Sequence, residues 1–175
     1  MNRQSEKLLA TPEVAPLGPG PRAGVQTEFS LNHALDKIFA GSDFSVEHQQ
    51  LIRALILLWH DHLDAAHKIA QDIDTTDGAF VHGIVHRREP DYSNAKYWFR
   101  RVGPQAVFPG IVARAKELSN DVATTRLTQN GRWDPIAFID CCQEALHRKD
   151  SDPLLHLLQK IQKIETEVLL AWFCK

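Results

Sequence analysis

The stretch ALILLW, Ala54 to Trp59, constrains the fold of this chain more than any other. It lies inside a helical pattern. Ile52, Leu55, Ile56, Trp59, Leu63, Ala66 and Ala70 fall on one face of a helix that opens at caps among Ser42, Asp43 and Ser45 and runs to about Ile73. Within ALILLW the apolar residues go all the way round, and a helix apolar on every side has to be surrounded. The chain supplies what is needed. Phe29 to Phe39 reads as a short helix closed by Gly41. DTTDG, Asp74 to Gly78, is a turn, and a second long helix follows to about Glu89, where Pro90 discourages continuation. Asp91 to Arg101 reads as a short aromatic helix ended by Gly103-Pro104, and Gln105 to Leu118 as another. Ser119 to Trp133 is polar, contains Asn130-Gly131, and reads as a loop. Asp134-Pro135 and Asp152-Pro153 each place a cap before a proline in the first helical position, opening helices over about 135–149 and 153–173. The last of these carries Leu154, Leu157, Leu158, Ile161, Ile164, Val168, Leu169 and Trp172 at helical spacing. No hairpin signal competes. The expected fold is all-α, a compact bundle of about six to seven helices around two long antiparallel central ones.

A length of 175 residues fits one domain, and 43% hydrophobic residues suffice for a core. Residues 1–27, centred on PEVAPLGPGPRAG, have no apolar period and are expected to form a disordered or surface-lying Pro/Gly-rich tail, leaving 28–175 as the helical domain. A formal charge of −2 gives no footprint for nucleic acid or an acidic membrane. The three cysteines, with Cys141 and Cys142 adjacent and no CxxC pair, make neither a disulfide framework nor a thiolate zinc knuckle. The vicinal pair is expected as buried apolar filler. No signal-peptide h-region and no spanning apolar run is apparent, so a cytoplasmic setting is expected.

The segment Trp59 to Glu89 holds five of the nine histidines. On the first long helix His60, Asp64, His67 and Gln71 form one stripe at i, i+4, i+7 and i+11, within about 60° of arc. On the second, His82, His86 and Glu89 form another at i, i+4 and i+7. The short turn makes these helices antiparallel neighbours, with His67 level with Ile84, between His82 and His86. If the stripes face each other, imidazoles and carboxylates converge in the manner of a Zn, Fe, Mn or Ni site. Asp64, His67, His82 and His86 are the candidate ligands, and Glu89 and His60 the candidate acid/base groups or further ligands. The ExxH spacing of di-metal bundles and the HExxH motif are both absent. His60-Asp61 matches the dyad of metal phosphohydrolases only weakly, because Asp61 points about 100° away from His60. His62, His33, His48, His147 and His156 read as structural or solvated.

Arg87, Arg88 and Arg100, with Asn94 and Tyr97, are the candidates for holding a small anionic substrate, set against an ordinary role as surface charges. The competing reading of the whole segment is a metal-free network of His–Asp and His–Glu pairs in an interaction or homo-oligomerisation module. There Ala54–Trp59 or the terminal helix would carry the interface. HGIVHRREPDYSNAKYWFRRVG, His82 to Gly103, resembles a family of small proteins of bacteria and fungi with no established activity. WHDHLDAAHKIAQDI and KIQKIETEVLL are similar to other parts of that family. The resemblance covers most of the chain after the tail. It implies that His60 to Gly103 act as one unit, and it carries no catalytic residue across.

Overall fold

A computed structural model describes residues 7–119 and 121–175. Among the described residues the chain forms nine α-helices and no strand: α1 (Glu28–Phe39), α2 (Val46–Trp59), α3 (Leu63–Ala70), α4 (Thr76–Arg88), α5 (Tyr92–Val102), α6 (Phe108–Leu118), α7 (Val122–Leu127), α8 (Pro135–Ala145) and α9 (Pro153–Phe173). Thr27, Ser45, Thr75, Asp91, Asp121, Asp134 and Asp152 cap their helices by accepting a backbone N–H in the first turn. Each such cap contributes about 1 kcal/mol.

The helix count exceeds six to seven for two reasons. The stretch expected as a loop holds α7 and a 3-10 turn over Gln129–Gly131, with Asn120 outside the described residues. The expected long helix from residue 45 to 73 is two helices. It stops at Trp59 in a tight C-terminal motif, where Asp61 N–H donates to Leu58 O and His62 N–H to Leu57 O. Asp61 occupies the left-handed position with φ 66°. Glycine usually fills that position, because a Cβ there costs energy, and Asp is among the few residues that tolerate it.

ALILLW is central, as its all-round apolarity requires: no residue from Ala54 to Trp59 is more than 3% exposed. That overturns the expectation that it carries an interface with another chain. The terminal helix α9 likewise turns Leu155, Leu158, Ile161, Leu169, Leu170 and Phe173 into this core. Each such apolar side chain stabilises the fold by about 1.5–3 kcal/mol. Helix α4 is buried from Gly78 to Arg88. A Cβ on Gly83 would sit 2.7 Å from the Phe99 ring, so glycine here is what lets α4 and α5 pack closely.

The described part of the tail, residues 7–27, is neither disordered nor merely surface-lying; residues 1–6 lie outside the described residues. Leu8, Leu9, Ala15 and Leu17 are buried in the core. Side chains of the helical body catch the tail's backbone: Trp59 Nε1 donates to Leu9 O, Gln162 Nε2 to Pro16 O and Arg88 Nε to Gly18 O. Gly20 passes so close to Asp61 that a Cβ would meet its carboxylate at 2.8 Å. Among the described residues no helix is long and apolar enough to cross a membrane.

Candidate metal centre

The break at Asp61 divides the first histidine stripe. His60, left at the end of α2, is fully buried away from the other histidines. Its Nδ1 accepts from Gln26 N–H at 3.1 Å, and its Nε2 lies 2.7 Å from Leu8 O. Those partners fix a neutral ring with the proton on Nε2. Burial lowers its pKa, against the favourable Leu8 carbonyl. His60 is therefore a structural clamp on the tail and has no acid/base role. Asp61 is held likewise, with Oδ1 2.8 Å from both Arg22 Nη1 and Arg88 Nη2 and a side chain 1% exposed.

The expected substrate arginines are turned inward. Arg87 is fully buried and bidentate to buried Glu165, at 3.3 and 2.5 Å. Arg88 donates to Gly18 O, Leu58 O and Asp61. Both guanidinium groups are buried, so neither can offer a donor to an anion at the surface. Asp64 is exposed in the first turn of α3, where its charge complements the helix N-terminus, and it is outside the histidine cluster. Tyr97 is half exposed and accepts a hydrogen bond from Arg101, and Arg100 faces a different cleft.

What the structure does bring together is His67 from α3, His82 and His86 from α4, and Glu89 just past the end of α4. One ring nitrogen from each of the three histidines lies within 4.8 Å of the others. The three ring centroids are 4.7–4.8 Å apart. The carboxylate of Glu89 spans two of the rings: Oε1 is 2.8 Å from His67 Nδ1, and Oε2 is 3.1 Å from His86 Nδ1. The first is a hydrogen bond; the second is close but not aligned as one. His67 Nε2 lies 3.0 Å from His82 Nε2, and Asn94 Nδ2 lies 3.1 Å from His86 Nε2. Trp98 stacks on His82 with centroids 4.1 Å apart.

These partners assign the protons. Glu89 accepts Nδ1–H of His67, which leaves His67 Nε2 as a lone pair. His82 Nε2–H points at that lone pair, and His82 Nδ1 is then a buried acceptor without a partner. His82 is held neutral: its pKa is pushed down to about 4, first by burial and then by His86 and His67. Burial also lowers the pKa of His86, with Glu89 opposing and His67 assisting. Neutral imidazole is the form that binds metals, and a carboxylate on the far nitrogen is the usual device for orienting it.

Two tetrahedral nitrogen ligands at 2.0–2.1 Å from zinc stand about 3.4 Å apart. The separations here fall on both sides of that value. Beside the cluster is a cleft of about 570 Å³ whose wall includes Glu28, Asp61, Asp64 and Glu89 and no lysine or arginine.

The sequence reading missed Trp98 here. Its signal was available: Asn94 and Trp98 are four apart on α5, on one face, and both touch the histidines of α4. Comparison of the chain with protein-family models, with curated proteins and with solved structures found no match.

Proposed function

We propose that this is a metal-binding helical protein that holds one divalent transition ion on His67, His82 and His86. Glu89 orients the first and third of these rings. The observation that carries the reading is the convergence of three imidazoles, two of which, His82 and His86, each keep a buried ring nitrogen without a hydrogen-bond partner in the protein. Zinc, iron, manganese and nickel all accept such a donor set. Three protein ligands is the number used by catalytic zinc sites, where water or substrate completes the shell. When bound, such an ion lowers the pKa of a coordinated water or polarises a substrate oxygen; iron or manganese would instead serve oxygen chemistry. The chain's own contribution is to aim the rings, keep His82 and His86 unprotonated through burial and cover His82 with Trp98. The cytoplasmic setting belongs to this reading and rests on the two vicinal thiols, Cys141 and Cys142, both buried and unbridged.

The anionic substrate suggested by the arginines has no support at this cluster. Arg87 and Arg88 are spent on internal partners, and the adjoining cleft is walled by carboxylates. A neutral or cationic small molecule suits that cleft.

One observation favours the metal-free alternative of an interaction module. The 3.0 Å contact between His67 and His82 is already a sound hydrogen bond and is shorter than two tetrahedral ligands prefer. Calorimetric titration of cobalt(II) into the chelator-stripped full chain separates the two. The metal reading predicts a stoichiometry of about one and visible d–d absorption, both lost in His67→Ala/His86→Ala. Heat and spectrum identical in wild type and double variant would return the cluster to a hydrogen-bond network.

A further inference from the structure

Nearly every arginine among the described residues is committed. Arg22, Arg53, Arg87, Arg88, Arg101, Arg114, Arg126 and Arg148 all pair with carboxylates of the chain. The two exceptions are Arg100 and Arg132, both exposed. They come from α5 and from the segment before α8, 32 residues apart, and they line the same cleft. That cleft encloses about 620 Å³ and has no aspartate or glutamate in its wall. Its floor is apolar, with Phe99, Phe108, Pro104 and Trp133.

Two further features of the cleft bear on what it holds. Trp133 is 4% exposed, and its indole N–H is buried with no acceptor in the protein. A buried donor left without an acceptor is costly, and native chains rarely tolerate one. Helix α6 begins on the cleft wall at Phe108–Pro109, and no side chain caps it. Its first-turn N–H groups are taken by backbone carbonyls, so only the positive end of the helix dipole adds to the field of the two guanidinium groups.

We infer that this cleft binds a small organic anion with an apolar body, an aryl or acyl carboxylate. The carboxylate is held by Arg100 and Arg132, and the apolar part lies against Phe99, Phe108 and the Trp133 ring that lines the cleft. The volume is that of ordinary small-ligand sites, which pair an apolar lining with a few polar anchors. Arg and aromatic faces are also the groups that combine best around a planar carboxylate. The inference is independent of the histidine cluster, since no residue of that cluster lines the cleft.

The test uses 4-phenylbutyrate and its neutral counterpart 4-phenyl-1-butanol, titrated into the full chain without added metal and followed by the four tryptophan indole resonances in a 1H–15N spectrum. The Trp133 signal is assigned with Trp133→Phe. The expected result is a saturable shift confined to Trp133 with phenylbutyrate. Arg100→Gln and Arg132→Gln, both at exposed positions, should weaken it roughly tenfold or more each. Phenylbutanol should bind at least tenfold more weakly than phenylbutyrate. Equal binding of the acid and the alcohol, no saturable shift at Trp133, or unchanged affinity in both arginine variants would overturn the proposal.

Discussion

Two polar clusters, one at the chain reversal of residues 60–62 and one just beyond it, are built in opposite ways. The cluster at His60 and Asp61 is closed: both nitrogens of His60 are used by backbone groups, and Asp61 is shared by two arginines. The cluster at His67, His82 and His86 consists of rings against rings, with one carboxylate close to two of them but hydrogen-bonded to His67 alone, and two buried nitrogens, His82 Nδ1 and His86 Nδ1, without a hydrogen-bond partner. A histidine kept for structure is matched to fixed backbone partners. Three histidines facing one another satisfy each other poorly, and a shared ligand relieves that. The difference teaches that residue type and spacing placed His60 and His67 in one stripe, whereas partner chemistry separates them.

The contrast can be broken most forcefully at Asp61. Asp61→Asn keeps a residue that tolerates a positive φ but leaves Arg22 and buried Arg88 without their counter-charge. We expect a loss of about 3–5 kcal/mol in denaturant unfolding, together with proteolytic cleavage within residues 7–27. No change in midpoint would mean that the tail is not anchored there.

The next contrast is a crossing of effects. His60→Ala should cost about 1–3 kcal/mol, because Leu8 O and Gln26 N–H lose their partner, and should leave metal affinity unaltered. His67→Ala, at a half-exposed ring, should change metal-free stability by less than about 1 kcal/mol. Its metal affinity should fall by more than the roughly 100-fold that loss of an outer-shell partner can cause. Identical profiles for the two variants would erase the distinction. Glu89→Gln sharpens it further: a weaker acceptor for the Nδ1–H of His67 should lower metal affinity by about 10–100-fold, with the stoichiometry kept.

The smallest effect is that of pH. His60, His82 and His86 all have folded-state pKa values below the ordinary 6.5, and His82 is near 4. Below 6.5 the unfolded chain takes up protons that the folded chain refuses. Stability is therefore full above about 6.5 and is lost progressively as pH falls toward 4. His82→Phe should flatten the slope measured by denaturant unfolding, and an unchanged slope would show that the ring is not desolvated.

Much of the fold was legible in the sequence. Asp134-Pro135 and Asp152-Pro153 open α8 and α9 as their capping chemistry requires, and the all-round apolarity of ALILLW put α2 at the centre. The reversal after Trp59 was not legible. No glycine or proline lies between residues 45 and 73, and Asp61 is held in its conformation by Arg22 and Arg88, distant in sequence. The tail's packing was hidden for a related reason: four apolar residues without a period, Leu8, Leu9, Ala15 and Leu17, suffice when their backbone is caught by side chains from elsewhere. At the site, the register of α3 against α4 followed from the short turn, which set His67 level with the pair on α4. The inward course of Arg87 and Arg88 did not follow, because their partners Glu165 and Asp61 are 78 and 27 residues away.

The most direct test of the central claim is the metal content of the untagged full chain purified without chelator, read by plasma mass spectrometry. The account predicts about one equivalent of a single divalent transition metal per chain, with none retained by His67→Ala/His86→Ala. A folded wild-type chain that carries no metal and takes up none when zinc, iron, manganese or nickel is supplied would contradict it.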